Sequence, residues 1–292
     1  MKETKPLFRK ENLLYKREER KGYWTVISKV HPEARELIIN PTAKKILELS
    51  DGSRTIEDIE LYFIDKYFGV PEKKIKIDIA KTLSLFSRLG VVVWNGDNPF
   101  LYKKDEPIAD GYFLSIGQED NLRDIENFIE FSETLSGVRR EIVFYKNPLV
   151  LSGEYSELVL RQKLFAFSEE FFLLKRNSKI EGLMSVSVPD NLKKFGAIVK
   201  LLICPREFLS ELFRYSRNYF PYLSVRDITK LEVYELSSNR LDQFLIDFLD
   251  KEKFNVEAKL KDEAGFGNDL TIYSLGYERE FIKTVEEQRN KF

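Results

Sequence analysis

Apolar and polar residues alternate along the first forty residues, as they do in half-buried strands. The apolar or strand-favouring positions of this alternation are Leu13, Tyr15, Tyr23, Thr25 and Ile27. A third short strand is expected at residues 36–39, where three aliphatic residues follow one another. Beyond residue 40 the apolar residues recur at helical spacing, so the pattern predicts three strands followed by helices.

Three helices are predicted in the next fifty residues. Asn40 is a capping residue, and Pro41 follows it in the first turn, where its missing N–H is harmless. Thr55 and Asp58 have the spacing of a capping box at the start of the second helix. The third helix is predicted at residues 72–89. Its main apolar stripe consists of Ile75, Ile79, Leu83 and Phe86.

A short strand and a linker end the first domain. Gly90 stops the third helix, and residues 91–94 are expected to form a final strand, the wing. Residues 96–109 contain two prolines and a charged run, which is typical of a linker. The first domain, residues 1–95, is therefore predicted to be a winged helix with three strands, three helices and a wing.

The second domain, residues 110–277, is predicted to mix strands and helices, which makes the whole chain an α+β protein. Strands are predicted at residues 111–116, 170–176, 182–188, 197–203, 228–235, 256–260 and 270–275. Helices are predicted at residues 119–135, 158–165, 205–219 and 239–248. The charged tail, residues 278–292, is predicted to be helical.

Composition excludes several classes of function. The chain has 47 basic and 48 acidic residues, so it has no global field to attract nucleic acid or an anionic membrane, and neither is expected as a partner. Its one Cys excludes an internal disulfide framework. Its one His, His31, excludes a His-based metal cluster and disfavours a Ser-His-Asp triad, so no metal is expected. No apolar run reaches the roughly 18 residues of a membrane span and no signal peptide opens the chain, so a cytoplasmic protein is expected.

A run in the first domain combines a short strand, a capped helix, an Asp-Gly turn and a second cap at fixed spacing. It reads Leu37-Ile38-Ile39-Asn40-Pro41-Thr42-Ala43, then Ile46-Leu47-Glu48-Leu49-Ser50-Asp51-Gly52-Ser53-Arg54-Thr55-Ile56. Over residues 7–95 the chain resembles PqqD and the related recognition elements of enzymes that modify ribosomally made peptides. The resemblance implies that a precursor leader peptide adds as an extra strand beside the third strand, in a groove against the third helix.

The resemblance implies peptide-binding residues on the third strand and on the face of the third helix turned away from its main stripe. These residues are Leu37, Ile38, Ile39, Ile77, Lys81, Ser84, Leu85 and Arg88. A strand edge supplies main-chain hydrogen bonds, and apolar pockets select side chains. Two alternatives stay open: these residues only pack the domain, or the helix binds DNA, although Glu72 and Asp78 dilute its lysines. An uncovered edge could also pair two chains as a homodimer.

The second domain resembles the GNAT family of acyl-CoA-dependent N-acyltransferases. The matching residues are 230–235, Asn239, 253–254 and 268–275, which give the order strand, Asn, helix, Phe and hairpin. The resemblance implies acyl-CoA or acetyl-CoA as the cofactor and an amine as the acceptor. The implied cofactor-binding residues are Ile203, Cys204, Arg206, Phe208 and Asn239.

Acyl transfer needs a base near the central strands and donors for the oxyanion. Glu232 and Tyr234, expected on opposite faces of the strand at the cleft, are the candidate catalytic residues. The family binds the pyrophosphate of coenzyme A on a glycine-rich turn, but residues 204–211 contain no Gly, although Arg206 and the first-turn N–H groups remain. Two functions stay open. Either the protein acylates an amine of the bound precursor, or the second domain is a non-catalytic scaffold that presents peptide to a partner biosynthetic enzyme.

Overall fold

Two units make up the chain in the computed structural model. The first covers Met1–Tyr102 and Glu286–Phe292, and the second covers Lys103–Val285. The structure describes residues 4–30, 32, 36–96, 98–99, 105–135, 141–166, 168–188, 195–223, 228–278 and 281–282. The side chains of Lys73, Ile77, Leu135 and Tyr222 are outside this description.

The described part of the first unit has strands before and after three consecutive helices. Its strands are β1 (Lys5–Phe8), β2 (Leu13–Glu18), β3 (Trp24–Ser28), β4 (Leu37–Ile39) and β5 (Val92–Asn95). Its helices are α1 (Pro41–Leu49), α2 (Ile56–Lys66) and α3 (Glu72–Arg88). β2, β3 and β4 form an antiparallel sheet in that order, and β1 pairs with β5.

The helix starts and the helix stripe of the first unit follow the sequence signals. Oδ1 of Asn40 accepts from the N–H of Ala43 at 2.8 Å, which confirms the first cap. Thr55 and Asp58 make both hydrogen bonds of the capping box. All four residues of the predicted α3 stripe are buried, and Ile75, Ile79 and Leu83 pack in one cluster with residues of α1 and α2.

The wing differs from the prediction, because β5 pairs with β1, a strand that the sequence pattern did not reveal. Only the short apolar pair Leu7-Phe8 marks β1 in the sequence, and its partner lies at the other end of the unit. The unit therefore has a second, two-stranded sheet that closes its first and last strands together. Within its described residues the unit begins with an unpredicted strand, and its last strand is not a separate wing.

The described part of the second unit is built on one nine-stranded sheet. Its strands are β6 (Glu106–Pro107), β7 (Tyr112–Ile116), β8 (Ile142–Lys146), β9 (Glu169–Arg176), β10 (Lys179–Ser187), β11 (Gly196–Pro205), β12 (Lys230–Leu236), β13 (Asn255–Leu260) and β14 (Leu270–Gly276). Its helices are α4 (Leu122–Leu135), α5 (Glu157–Phe165), α6 (Leu209–Leu223) and α7 (Gln243–Lys251). The strand order is β13-β14-β12-β11-β10-β9-β7-β6, and β8 pairs with β11 beside this path.

Helices cover both faces of the middle strands, which explains why these strands are apolar almost throughout. On one face α4 and α5 pack against Phe171 and Leu173 of β9. On the other face the ring of Phe172 contacts those of Tyr215 and Phe220 of α6 edge to face. The core of the unit therefore lies on both sides of β9, β10 and β11.

Two expectations for the second unit differ from the structure, and one strand was missed. Glu106–Pro107 forms a strand paired with β7, so the end of the predicted linker belongs to the sheet. The last helix begins at Gln243 rather than near Asn239, because Oδ1 of Asp242 accepts from the N–H of Leu245 and caps it there. Strand β8 was not predicted at all. Most of the predicted helical tail lies outside the described residues.

Candidate functional site

The edge of β4 is the candidate peptide-binding feature of the first unit. β4 pairs with β3 through Leu37↔Val26, Ile38↔Thr25 and Ile39↔Trp24, and no other strand of the described chain pairs with it. Ile39 is buried in the core, whereas Ile38 is 74% exposed. The strand therefore offers a main-chain edge with one outward apolar side chain.

The C-terminal half of α3 carries the other predicted peptide-binding residues. Lys81, Ser84, Leu85 and Arg88 are all half-buried, distinct from the buried stripe of the helix. Oγ of Ser28, at the end of β3, donates to the carbonyl oxygen of Leu89 at 2.7 Å and joins the end of the sheet to the end of α3. This bond connects the sheet that contains β4 to the C-terminal end of α3. The side chain of Ile77 lies outside the described residues.

In the second unit, β11 and β12 separate after a short contact. These two parallel strands pair only through Gly196↔Lys230, Ala197↔Leu231 and Ile198↔Glu232. Diverging parallel strands open a crevice of the kind that holds ligands in α/β sheets. Here β8 pairs antiparallel with the rest of the same β11 edge, from Leu201↔Lys146 to Pro205↔Ile142.

Hydrogen bonds extend the pairing of β8 beyond both of its ends. The N–H of Asn147 donates to the carbonyl oxygen of Lys200 at 2.8 Å, and the N–H of Arg206 donates to that of Glu141 at 2.9 Å. Because hydrogen-bonded pairs alternate along an antiparallel ladder, Leu202 and Cys204 also direct their N–H groups at β8. The outer edge of β11 is therefore used along its whole second half.

Tyr145 of β8 closes the gap between the separated strands. Its buried hydroxyl donates to the carbonyl oxygen of Tyr234 on β12 at 3.1 Å and accepts from the N–H of the same residue at 3.0 Å. Burial raises the pKa of Tyr145, so this phenol stays protonated. One side chain thus satisfies two main-chain groups of β12 that have lost their partner strand.

The two predicted catalytic residues contact each other. The hydroxyl of Tyr234 donates to Oε2 of Glu232 at 2.9 Å, so the expectation that they lie on opposite faces is wrong. Residues two apart in a strand share a face. Nζ of Lys230 lies 3.0 Å from the other carboxylate oxygen of Glu232. Both oxygens of this nearly buried carboxylate are therefore engaged, and acting as a base would require it to exchange a partner.

A close approach of β11 and β12 places the Glu232 carboxylate. Gly196 lies opposite Lys230 in the register, and a Cβ added at Gly196 would collide with Oε1 of Glu232. Glycine at this position therefore leaves room for the carboxylate against the main chain of β11. Burial raises the pKa of Tyr234, which keeps its phenol a proton donor to Glu232.

The predicted cofactor residues at the end of β11 are engaged in packing. Ile203 and Cys204 are fully buried, and burial raises the pKa of the Cys204 thiol, an effect to which Glu211 adds. The guanidinium of Arg206 lies 4.3 Å from the centre of the Phe244 ring. The ring of Phe208 packs against that of Tyr112, at 4.3 Å between centroids.

Asn239 is placed apart from these residues in the chain. It is exposed after β12, and its N–H donates to the carbonyl oxygen of Leu236 at 3.0 Å.

The pairing that dominates the crevice was not predicted, because it comes from β8. The signal for β8 is present in the sequence as the run Ile142-Val143-Phe144-Tyr145, whose residues favour strands.

These residues do not fit an acyl-CoA in the place that the resemblance implies. Phosphates bind free N–H groups at the start of a helix, and one of these, the N–H of Arg206, already donates to the carbonyl oxygen of Glu141 at 2.9 Å. Glu207 and Glu211 add negative charge in the same turn. The pantetheine arm carries two amides that need hydrogen-bond partners when buried, and the second half of this β11 edge cannot supply them because it is already paired with β8.

A metal site or a membrane span would be further candidates for function. Across the described ranges, no group of three or more His, Cys, Asp and Glu side chains is arranged to hold a metal ion. In the same ranges no helix combines the length and the apolar character needed to cross a membrane. His31 lies outside the described residues.

Comparisons with known proteins give a partial likeness. The chain matches no protein-family model and no curated protein sequence. It is similar to the ribosomal-protein-S5-alanine acetyltransferase from Vibrio fischeri, with a TM-score of 0.44 and 12% identity over 60% of this chain and 98% of that chain. For the GNAT-family acetyltransferase from Streptococcus pneumoniae the TM-score is 0.42, with 12% identity over 57% and 99% of the two chains. For smu.2055 from Streptococcus mutans it is 0.41, with 20% identity over 56% and 99%.

Proposed function

We propose that this protein binds the leader segment of a ribosomally made precursor peptide on the edge of β4 and serves the modification of that peptide. The observation that carries the proposal is the combination of an unpaired strand edge with a 74% exposed Ile38. An exposed apolar residue on an edge strand is an aggregation hazard that proteins avoid unless the edge is used.

The occupant is an extended peptide because β4 offers main-chain groups in strand geometry. A peptide that adds as a fourth strand would satisfy these groups whatever its sequence. Selectivity would come from side chains, with Ile38 on one face of the new strand and Leu85 of α3 in the adjacent groove. The affinity would then have a main-chain contribution that does not depend on the peptide sequence and an apolar contribution that does.

The role of the second unit follows from its occupied crevice. The Tyr234–Glu232 pair favours acid–base chemistry, but the acyl-CoA that acyl transfer requires does not fit the edge of β11. We therefore propose the non-catalytic alternative, in which this unit is a scaffold and a partner biosynthetic enzyme supplies the chemistry. Joining capture and scaffold in one chain raises the effective concentration of the peptide at that partner.

The test is a binding titration of the full chain. A fluorescein-labelled synthetic peptide, taken from the N-terminal part of any short reading frame found beside the gene, would be titrated and followed by fluorescence anisotropy. We expect saturable binding, and we expect Ile38→Asp to weaken it about tenfold or more, since a charge replaces an apolar contact.

The matched control is Leu61→Asp, which changes an equally aliphatic and 54% exposed residue of α2 outside the predicted groove. It should leave the affinity unchanged. Equal loss in both variants would mean that the peptide contacts the surface non-specifically. Absence of binding in the unaltered protein would refute the proposal.

A further inference from the structure

We propose that β8 is a permanent internal replacement for the cofactor arm, so that the second unit binds no acyl-CoA although its strand order resembles that of an acyltransferase. The inference rests on the pairing of residues 141–147 with β11 and on Tyr145. It does not depend on the peptide site of the first unit.

The first step is that the β11 edge has no hydrogen-bonding capacity left for a ligand. β10 pairs with one side of Leu201, Leu202 and Ile203, and β8 pairs with the other side of the same residues. A cofactor amide laid on this edge would have to break a bond that already exists. Exchange of one hydrogen bond for another brings little net free energy to binding.

The second step is that β8 is part of the core rather than a removable flap. Val143 is fully buried, Tyr145 is 4% exposed and Asn147 is 1% exposed. The side-chain amide of Asn147 also donates to the carbonyl oxygen of Val199 at 3.3 Å. Removing β8 would expose these apolar groups and orphan several polar ones, so a weak ligand cannot displace it.

The third step is that Tyr145 fixes both strands at the crevice. Its hydroxyl bonds the N–H and the carbonyl of Tyr234 on β12, while its main chain pairs with Leu202 on β11. The side chain therefore spans the gap that a ligand arm would enter. Tyr145 is a positioning residue for the sheet.

The last step concerns the phosphate end. The acidic first turn, Glu207 and Glu211, would repel a pyrophosphate. The side chain of Arg206, the one basic residue in this turn, lies over the Phe244 ring. Both ends of a coenzyme A molecule thus lack a receptor at the place where its two parts would have to meet the chain.

The experiment titrates the full protein with acetyl-CoA and octanoyl-CoA, using calorimetry and thermal unfolding followed by circular dichroism. We expect no heat of binding and no change in Tm, whereas a ligand at about 100 times its Kd raises Tm by several degrees. Amide exchange should show Leu202 and Cys204 as protected as Met184 of the adjacent central strand, with and without acyl-CoA.

A variant tests directly whether the hydroxyl of Tyr145 joins β8 to β12. Tyr145→Phe should speed amide exchange at Tyr234 by about tenfold or more, because its N–H loses a buried partner. Tyr112→Phe, a half-buried tyrosine of β7, should leave that amide unchanged. A Tm increase with either acyl-CoA would overturn the proposal, as would exchange at Leu202 and Cys204 as fast as in the edge strand β13. Neither result bears on whether Ile38→Asp weakens leader binding, because that test concerns the first unit.

Discussion

Two strand edges in this chain have opposite fates. The edge of β4 in the first unit is three residues long, has no partner strand in the described structure and carries an exposed isoleucine. The edge of β11 in the second unit is open to a crevice by its topology, yet β8 covers it. Sheets recruit extended segments at such edges. The first edge has no partner strand within the described chain, and the second is paired with another strand of the same chain.

The difference shows that an edge must be judged by the hydrogen bonds it has left and not by its position in the fold. β11 lies in the middle of a sheet whose order suggests a ligand crevice, but its N–H and carbonyl groups are already paired. β4 lies at the rim of a small sheet, and within the described ranges only β3 pairs with it. Binding follows the unpaired main chain.

Replacing an aliphatic residue by Asp should have very different effects on stability in β8 and in β4. Val143→Asp places a charge at a fully buried position of β8, and we expect it to cost about 4 kcal/mol or more or to unfold the second unit. Ile38→Asp should change stability by less than about 0.5 kcal/mol. Urea unfolding followed by circular dichroism measures both.

Tryptophan fluorescence separates the units in this test, since Trp24 and Trp94 both belong to the first unit. The fluorescence transition should survive in Val143→Asp. Equal losses for the two variants would show that β8 and β4 are equally buried, which would end the comparison.

Thiol labelling should separate the edges by rate. Cys204 is the one cysteine of the chain, and its burial on β11 raises its pKa, so at pH 8 it stays protonated and out of reach. In a Cys204→Ala background, Ile38→Cys should react with iodoacetamide at least about 100-fold faster than native Cys204 does.

The pH dependence of labelling has a defined sign. Raising pH from 7 to 9 should speed labelling at position 38 about 25-fold, because the thiolate fraction of a thiol with an ordinary pKa near 8.5 rises by that factor. Native Cys204 should stay slow over the same range, because its pKa is raised. Fast labelling of the unaltered protein would mean that β8 opens readily.

Tyr145→Phe should have an intermediate effect. It removes the hydroxyl that serves both main-chain groups of Tyr234, and leaving these buried groups unpaired should cost about 1–3 kcal/mol. Tyr15→Phe, at a 38% exposed position of β2, is expected to stay within about 0.5 kcal/mol of the unaltered protein. Chemical denaturation gives both free energies of unfolding. An unchanged free energy of unfolding in Tyr145→Phe would argue against the proposal that this hydroxyl joins β8 to β12.

The smallest effect is expected where β4 meets α1. Asn40→Ala removes the cap that accepts from the N–H of Ala43 and should destabilise the first unit by about 1 kcal/mol. Asn40→Gly should cost only a few tenths. Tryptophan fluorescence measures the change. If Asn40→Ala also weakens leader binding, then β4 depends on the helix that follows it.

Local signals predicted much of this structure. The caps at Asn40 and Thr55 and the buried stripe of α3 follow from residue spacing alone. The contact between Glu232 and Tyr234 was also within reach, because side chains two apart in a strand share a face. The sequence alone therefore contains the information that places these two side chains on one face of β12.

The pairing of β8 was beyond the reach of local pattern. The run from Ile142 to Tyr145 favours a strand, but nothing in it specifies that the partner is Leu201–Pro205 rather than a neighbouring hairpin. The choice depends on the separation of β11 and β12, which is a property of the assembled sheet. The poor fit of residues 204–211 to a pyrophosphate was partly visible in the sequence, since the segment contains no glycine.

The insertion of β8 also bears on the order in which the chain folds. β8 is synthesised before β9, β10 and β11, yet its only strand partner in the described structure is the last of these. The apolar run of β8 therefore has no partner strand until β11 has been synthesised. Such late, non-local pairing slows folding and exposes a sticky segment in the nascent chain. Completion of this sheet therefore requires a strand that is made three strands after β8.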